Sequence, residues 1–171
     1  WDIRYISPRR PVPSGLNKDM MQLATTSAEA VKTINELMET FEHTARLDKR
    51  VLLLLDDLGA AFEPGREAFS TALSNLALKI SSRDDVIIAG AGLPDELRPQ
   101  QMMSKLVQSL KTSKNGIGLS RDTNDVELLG YTVPLQYRRM ELPPGRGFWV
   151  SGNKAMLIHT PLVTGRSGAH K

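Results

Sequence analysis

The chain has 171 residues, 40% of them hydrophobic and 24% charged, with 22 Lys and Arg against 19 Asp and Glu for a net charge of +3. That is the composition of a globular domain with a real core; with no cysteine, it excludes disulfides, thiolate metal sites and cysteine nucleophiles, and it suits a reducing compartment. No apolar run reaches the roughly 18 residues of a membrane span, no signal peptide opens the chain, and the basic residues are scattered, so nucleic acid is permitted as a partner but not required.

Asp2–Ser7 alternates around Ile3, Tyr5 and Ile6 and reads as a strand stopped by Pro8. Residues 8–17 hold three prolines and Gly15, hence an irregular loop, in which Arg9 and Arg10 either meet an anion or are simply solvated. Thr26-Ser27-Ala28-Glu29 matches a capping box, and Val31, Ile34, Leu37, Met38 and Phe41 follow at helical spacing, predicting a helix to about Arg46.

Val51–Leu55 is an unbroken apolar run ending in Asp56 and Asp57. Such a run suits a strand buried on both faces of a parallel sheet, whose carboxyl end is where open α/β sheets bind ligands. A strand ending in paired acids is the Walker B arrangement, in which the first acid holds magnesium and the second can orient the attacking water. A buried strand followed by an Asp-Asp turn explains the same residues.

After the Pro64-Gly65 turn, Phe69, Leu73, Leu76 and Ile80 mark a second helix from Arg66. Val86–Ala89 is a second buried strand, parallel by the strand-helix-strand order, and Gly90-Ala91-Gly92 permits either close backbone approach to a ligand or a tight exit. Leu97–Lys111 reads as a third helix, with Met103 inward and the Met102-Met103 pair expected as core filling rather than an adaptable binding surface. Gly116–Leu119 is a short strand, Asp122–Leu129 one or two helical turns closed by Gly130, and Val133, Leu135 and Tyr137 alternate. Phe148–Val150 and Ala155–His159 form a hairpin around Ser151-Gly152-Asn153, and a polar tail begins at Thr164. Three or four parallel strands alternating with helices, then a small β appendage, make a three-layer α/β sheet.

No glycine satisfies the phosphate-cradling pattern G-x-x-x-x-G-K-[ST]; the nearest lookalike, Gly165–Lys171, has the wrong spacing. His43, His159 and His170 lack metal-ligand spacing, and no G-x-S-x-G elbow occurs.

Ile6-Ser7-Pro8-Arg9-Arg10, Leu52–Leu58, Leu129-Gly130 with Val133-Pro134, and Leu142–Gly147 together resemble the FtsK/SpoIIIE ATPases, and the last segment with its hairpin is similar to the end of the modules of EccC-type motors of type VII secretion. The resemblance implies a RecA-like P-loop NTPase sheet lacking its P-loop segment, residues 1–164 being the C-terminal portion of one module and 165–171 a flexible tail. It implies ATP and Mg2+, hexameric rings, and transport of DNA or of a secreted protein by the cytoplasmic portion of a membrane-anchored bacterial protein, with membrane contact only through other parts of the parent chain. FtsK relatives act in cell division. Asp56 would be the magnesium-site acid, Asp57 the water-orienting acid, and Arg146, in the Pro-Gly-Arg-Gly turn, a contact to a neighbouring module or nucleotide or else a turn arginine. Two departures, Gly90-Ala91-Gly92 where active members often carry polar residues and Asp57 in place of a longer Glu, speak against hydrolysis. The resemblance therefore also covers a degenerate regulatory module, and the competing reading is a non-hydrolysing nucleotide-fold interaction module that binds a protein partner. A chain opening on Trp1 is expected to be part of a longer one whose P-loop half lies upstream, and these 171 residues alone are expected to be inactive as an ATPase.

Overall fold

The computed structural model describes residues 1–119, 122–138 and 140–160; the tail from Thr164, the Gly165–Lys171 lookalike and His170 lie outside them. The chain divides into two compact units, Trp1–Leu110 and Lys111–Lys171.

The first unit is built on a four-stranded parallel sheet, β1 (Asp2–Ile6), β2 (Gln22–Ala24), β3 (Val51–Leu55) and β4 (Val86–Gly90), in the order β2-β1-β3-β4. β3 is thus an interior strand, paired with β1 from Asp2↔Val51 to Ile6↔Leu55 and with β4 from Val51↔Val86 to Leu55↔Gly90. Alternation sorts its side chains. Val51, Leu53 and Leu55 are buried beneath helices, whereas Leu52 and Leu54 are half-buried on the opposite face. That opposite face continues through Ile87 and Ala89, both exposed.

The helical layer is α1 (Ser27–His43), α2 (Glu67–Ile80) and α4 (Lys105–Ser113), the last running into the second unit, with a single turn, α3 (Pro94–Leu97), before it. α1 starts where its sequence says it should. Thr26 Oγ1 accepts from Glu29 N–H at 3.2 Å while the Glu29 carboxylate accepts from Thr26 N–H at 3.1 Å, so the orphan amides of the first turn are satisfied. Ala30, Ile34, Leu37 and Phe41 form its buried stripe, each larger side chain worth about 1.5–3 kcal/mol of apolar transfer. The helix stops at His43 rather than Arg46, because Thr44 is already extended.

The expected helix over 97–111 is broken. Pro99 lacks the N–H an α-helix needs, so Arg98–Gln101 form a 3₁₀ turn and α4 begins afresh behind Ser104, whose Oγ accepts from Val107 N–H at 3.4 Å. Met102 and Met103 fall in the break and are 87% and 80% exposed, not core filling. Strand β2, three residues long, has too little sequence to announce itself.

The second unit holds an antiparallel sheet of β5 (Asn115–Gly118), β6 (Arg146–Ser151) and β7 (Lys154–His159), in that order. β5 therefore belongs with the hairpin and not with the parallel run in which the sequence placed it. Val126, Val133, Leu142, Phe148 and Val150 form its core, and the Tyr137 ring meets Phe148 edge-on, with centroids 5.8 Å apart. Val133, Leu135 and Tyr137 do not form a strand: residues 135–138 are a turn, and Val133 and Pro134 lead irregularly into it. Thr123–Leu129 is a 3₁₀ helix capped by Asp122 and ended by Gly130 in the left-handed region, where a Cβ would also strike the Lys111 carbonyl.

Candidate functional site at the carboxyl end of the parallel sheet

Three strand ends meet at this crest. Asp56 N–H donates to Ile6 O at 2.9 Å, Ala91 N–H to Leu55 O at 2.8 Å, and Leu58 N–H to Ala91 O at 2.6 Å. The two acids that follow β3 are thereby held by main-chain bonds from both neighbouring strands.

Asp56 continues the face of Leu52 and Leu54. Its Oδ2 accepts the Tyr5 hydroxyl at 2.7 Å. Burial, then the carboxylate beside it, pushes the Tyr5 phenol up to about 12. Both residues line a cavity of about 410 Å3 with Pro13, Leu16, Leu54 and Ala89, an apolar hollow with one carboxylate at its rim.

Asp57 has a different environment. Its backbone is left-handed, φ 61° and ψ 57°, a conformation Asp tolerates better than most residues, and it turns the chain into the 3₁₀ helix Leu58–Phe62. Its side chain is fully buried. Arg9 grips it in a fork, Nε to Oδ2 at 2.6 Å and Nη2 to Oδ1 at 2.5 Å, and Arg10 Nε adds a third bond to Oδ2 at 3.0 Å. These hydrogen bonds, Arg9's foremost, hold the Asp57 carboxyl below its ordinary range and raise Arg9.

Arg9 also reaches Glu63 at 2.6 Å and Glu96 at 2.9 Å, and Arg66 meets Glu63 from the other side at 3.0 Å. Glu96 approaches so closely that a Cβ at Gly59 would overlap its carboxylate.

The chemistry available differs accordingly. Mg2+ prefers one or two carboxylates, with water and phosphate oxygens completing its shell. Asp56 fits that demand as a single protein ligand. Asp57 does not, since both its oxygens already accept guanidinium N–H groups. Among the described residues no group of three or more acidic or histidine side chains could hold a metal by itself. The Asp57 carboxylate is buried, and guanidinium bonds occupy three of its roughly four acceptor sites, which leaves one on Oδ1 and makes it poorly suited to orient a water while these bonds last.

Arg146 lies in the second unit, opening β6 opposite His159 after the left-handed Gly145. No hydrogen bond or ion pair of its side chain is found among the described residues.

Sequence reasoning singled out Asp56 and Asp57 as candidates and named Arg9 and Arg10 as either meeting an anion or solvated, but did not foresee that the anion would be Asp57. Tyr5, Glu63 and Glu96 were missed altogether. The one available signal was the placement of two arginines between Pro8 and Pro11, directly after a strand that neighbours β3.

No family model and no curated protein sequence matches the chain. Solved structures do. The cytoplasmic domain of EssC superposes with a TM-score of 0.66 at 18% identity over 94% of this chain and 33% of that one. Thermomonospora curvata EccC (ATPases 2 and 3), in complex with a signal sequence peptide, gives 0.68 at 15% identity over 93% and 30%. EssC (ATPases 2 and 3) from Geobacillus thermodenitrificans gives 0.65 at 17% identity over 94% and 31%. The chain thus spans about a third of the length of the chains it resembles, and its fold is that of the ATPase domains of EssC and EccC.

Proposed function

We propose that residues 1–164 are the C-terminal portion of one FtsK/SpoIIIE-type ATPase module of a type VII secretion-like motor, in a degenerate form that binds Mg2+ and ATP and regulates rather than drives. The observation that carries this is the unequal pair at the crest. Asp56 stands at the end of an interior parallel strand with a carboxylate suited to a magnesium site, while Asp57 is spent on Arg9 and Arg10.

The sheet supports the reading. Among the described residues β4 has no neighbour on its outer side, although its Val-Ile-Ile-Ala-Gly sequence is uncharged and proline-free, as an interior strand would be. A further parallel strand with the phosphate cradle would pair there and cover Ile87. Cargo follows from the neighbour in complex with a signal sequence peptide, which favours a secreted protein over DNA. The remaining partners are other modules of a hexameric ring, where Arg146 is the contact residue, and a membrane reached through other parts of the parent. No described helix is long and apolar enough to cross one.

The test is nucleotide binding and hydrolysis by the module joined to the segment that precedes it in its parent. Asp56→Asn should weaken Mg2+-dependent ATP binding about tenfold or more, the worth of one charge-assisted ligand. Asp57→Asn should leave the hydrolysis rate at saturating MgATP unchanged. A rate at saturating MgATP that falls with Asp57→Asn, in protein still folded by circular dichroism, makes Asp57 a working water-orienting acid and removes the degenerate reading. The second reading, a non-hydrolysing nucleotide-fold interaction module that binds a protein partner, draws on the same locked Asp57 and on Gly90-Ala91-Gly92; ATP hydrolysis by the intact module that falls with Asp57→Asn eliminates it.

A further inference from the structure

Arg9 and Arg10 grip the same carboxylate, but they are used differently. Arg9 commits its whole fork inward, to Asp57, Glu63 and Glu96. Arg10 commits only Nε, to Asp57 Oδ2 at 3.0 Å, and its side chain is 51% exposed. A guanidinium has five N–H donors. The four on the Arg10 terminal nitrogens have no partner among the described residues.

Arg10 is also held from behind. Ser7 Oγ donates to its carbonyl at 2.9 Å, and Pro8 and Pro11 restrict the backbone on either side. Asp57, itself fixed by Arg9, orients the guanidinium through Nε. A planar guanidinium whose Nη1–Nη2 edge is free, oriented through Nε before the ligand arrives, is the arrangement that receives a phosphate bidentately at least entropic cost. It stands beside the strand ends where an open α/β sheet takes its ligand.

We propose that Arg10 is a phosphate-binding residue of the crest, aimed by Asp57 as its positioning residue, and that its ligand is the polyphosphate chain of a nucleotide. The last clause rests on the nucleotide reading given above; the phosphate site itself does not. Asp57 thereby has a role that needs no water. The adjacent Asp56 carboxylate repels a bare polyphosphate, so Mg2+ between them strengthens binding.

Isothermal titration of the whole chain with inorganic tripolyphosphate, with MgATP and with a single-stranded oligonucleotide tests this. Tripolyphosphate should bind, more tightly with Mg2+ than without. Arg10→Gln should weaken it about tenfold to a hundredfold, Arg10→Lys less, and Arg46→Gln, at the opposite end of the sheet, not at all. Asp57→Asn should weaken it with Arg10 intact, which a purely stabilising Asp57 would not do in protein still folded by circular dichroism. Absence of tripolyphosphate binding overturns the proposal. So does equal weakening by Arg46→Gln, or an Arg10-dependent affinity for the oligonucleotide alone. MgATP binding no tighter than magnesium tripolyphosphate leaves Arg10 standing and removes the nucleotide. MgATP binding that ignores Arg10→Gln does the reverse.

Discussion

The first unit contains two buried aspartates, at opposite ends of one sheet, each held by an arginine fork. Asp85 precedes β4 at the amino end, with Arg83 Nε and Nη2 on its two oxygens at 2.9 and 2.7 Å. Asp57 follows β3 at the carboxyl end, with Arg9 in the same geometry. The surroundings separate them. Around Asp85 every group is used internally. Leu47 N–H donates to Oδ2 at 2.8 Å, Arg83 Nη1 donates to Thr44 O, and the guanidinium lies 4.5 Å from the Phe41 ring centroid. That clamp closes the loop between α1 and β3 and ends there. Around Asp57 the network is left half-open, through Arg10, at the end of the sheet where ligands bind. Similar pairs thus serve as a rivet in one place and as a mount in the other, and what distinguishes them is the unused donors.

The strongest challenge to that contrast is deletion of the rivet. Asp85→Ala leaves Arg83 unpaired and nearly buried, and should cost about 3–5 kcal/mol in urea unfolding. Asp57→Asn should cost less, about 2 kcal/mol, because both its arginines reach water. Asp57→Ala should add about 1–2 kcal/mol, since alanine resists the left-handed backbone that Asn accepts. If Asp57→Asn proves the costlier of the two, Asp57 is the rivet.

Acid sharpens the comparison further. Both carboxyls are depressed, Asp85 from 3.8 to about 2, so each releases its proton more readily folded than unfolded. Their stabilisation is complete above the unfolded value and is lost as pH falls through the folded one. Stability should hold flat above about pH 5 and decline from near 3.8 to about 2, and Asp85→Asn should remove its share of that decline. The smallest effect belongs to Tyr5→Phe. It removes one hydrogen bond to Asp56, about 1 kcal/mol. It also deletes the phenol titrating near 12 in the ultraviolet spectrum. That phenol is raised, so its contribution is full below pH 10 and fades toward 12.

Much of this was legible in the residues. The run Val51–Leu55 announced an interior strand, although its Leu52 and Leu54 face is only half-buried rather than covered as expected, the Thr26–Glu29 box announced α1, and Gly130 announced the end of its 3₁₀ helix. What local pattern could not carry was partnership at a distance. Arg9 lies 48 residues from Asp57, whereas Arg83 lies two from Asp85. β5 has the composition of either sheet, and only its pairing with β6 decides. The exposed methionines were misread because one proline, Pro99, broke the helical register that would have turned Met103 inward.

The bare outer side of β4 has a practical consequence. Five uncharged residues whose outer amides and carbonyls pair with no strand among the described residues, beside a half-exposed Ile87, offer a docking rail to any extended chain, including a second copy. Prepared at high concentration without a companion strand, this polypeptide will clump through that rail, and a lysine introduced at Ile87 should keep it dispersed.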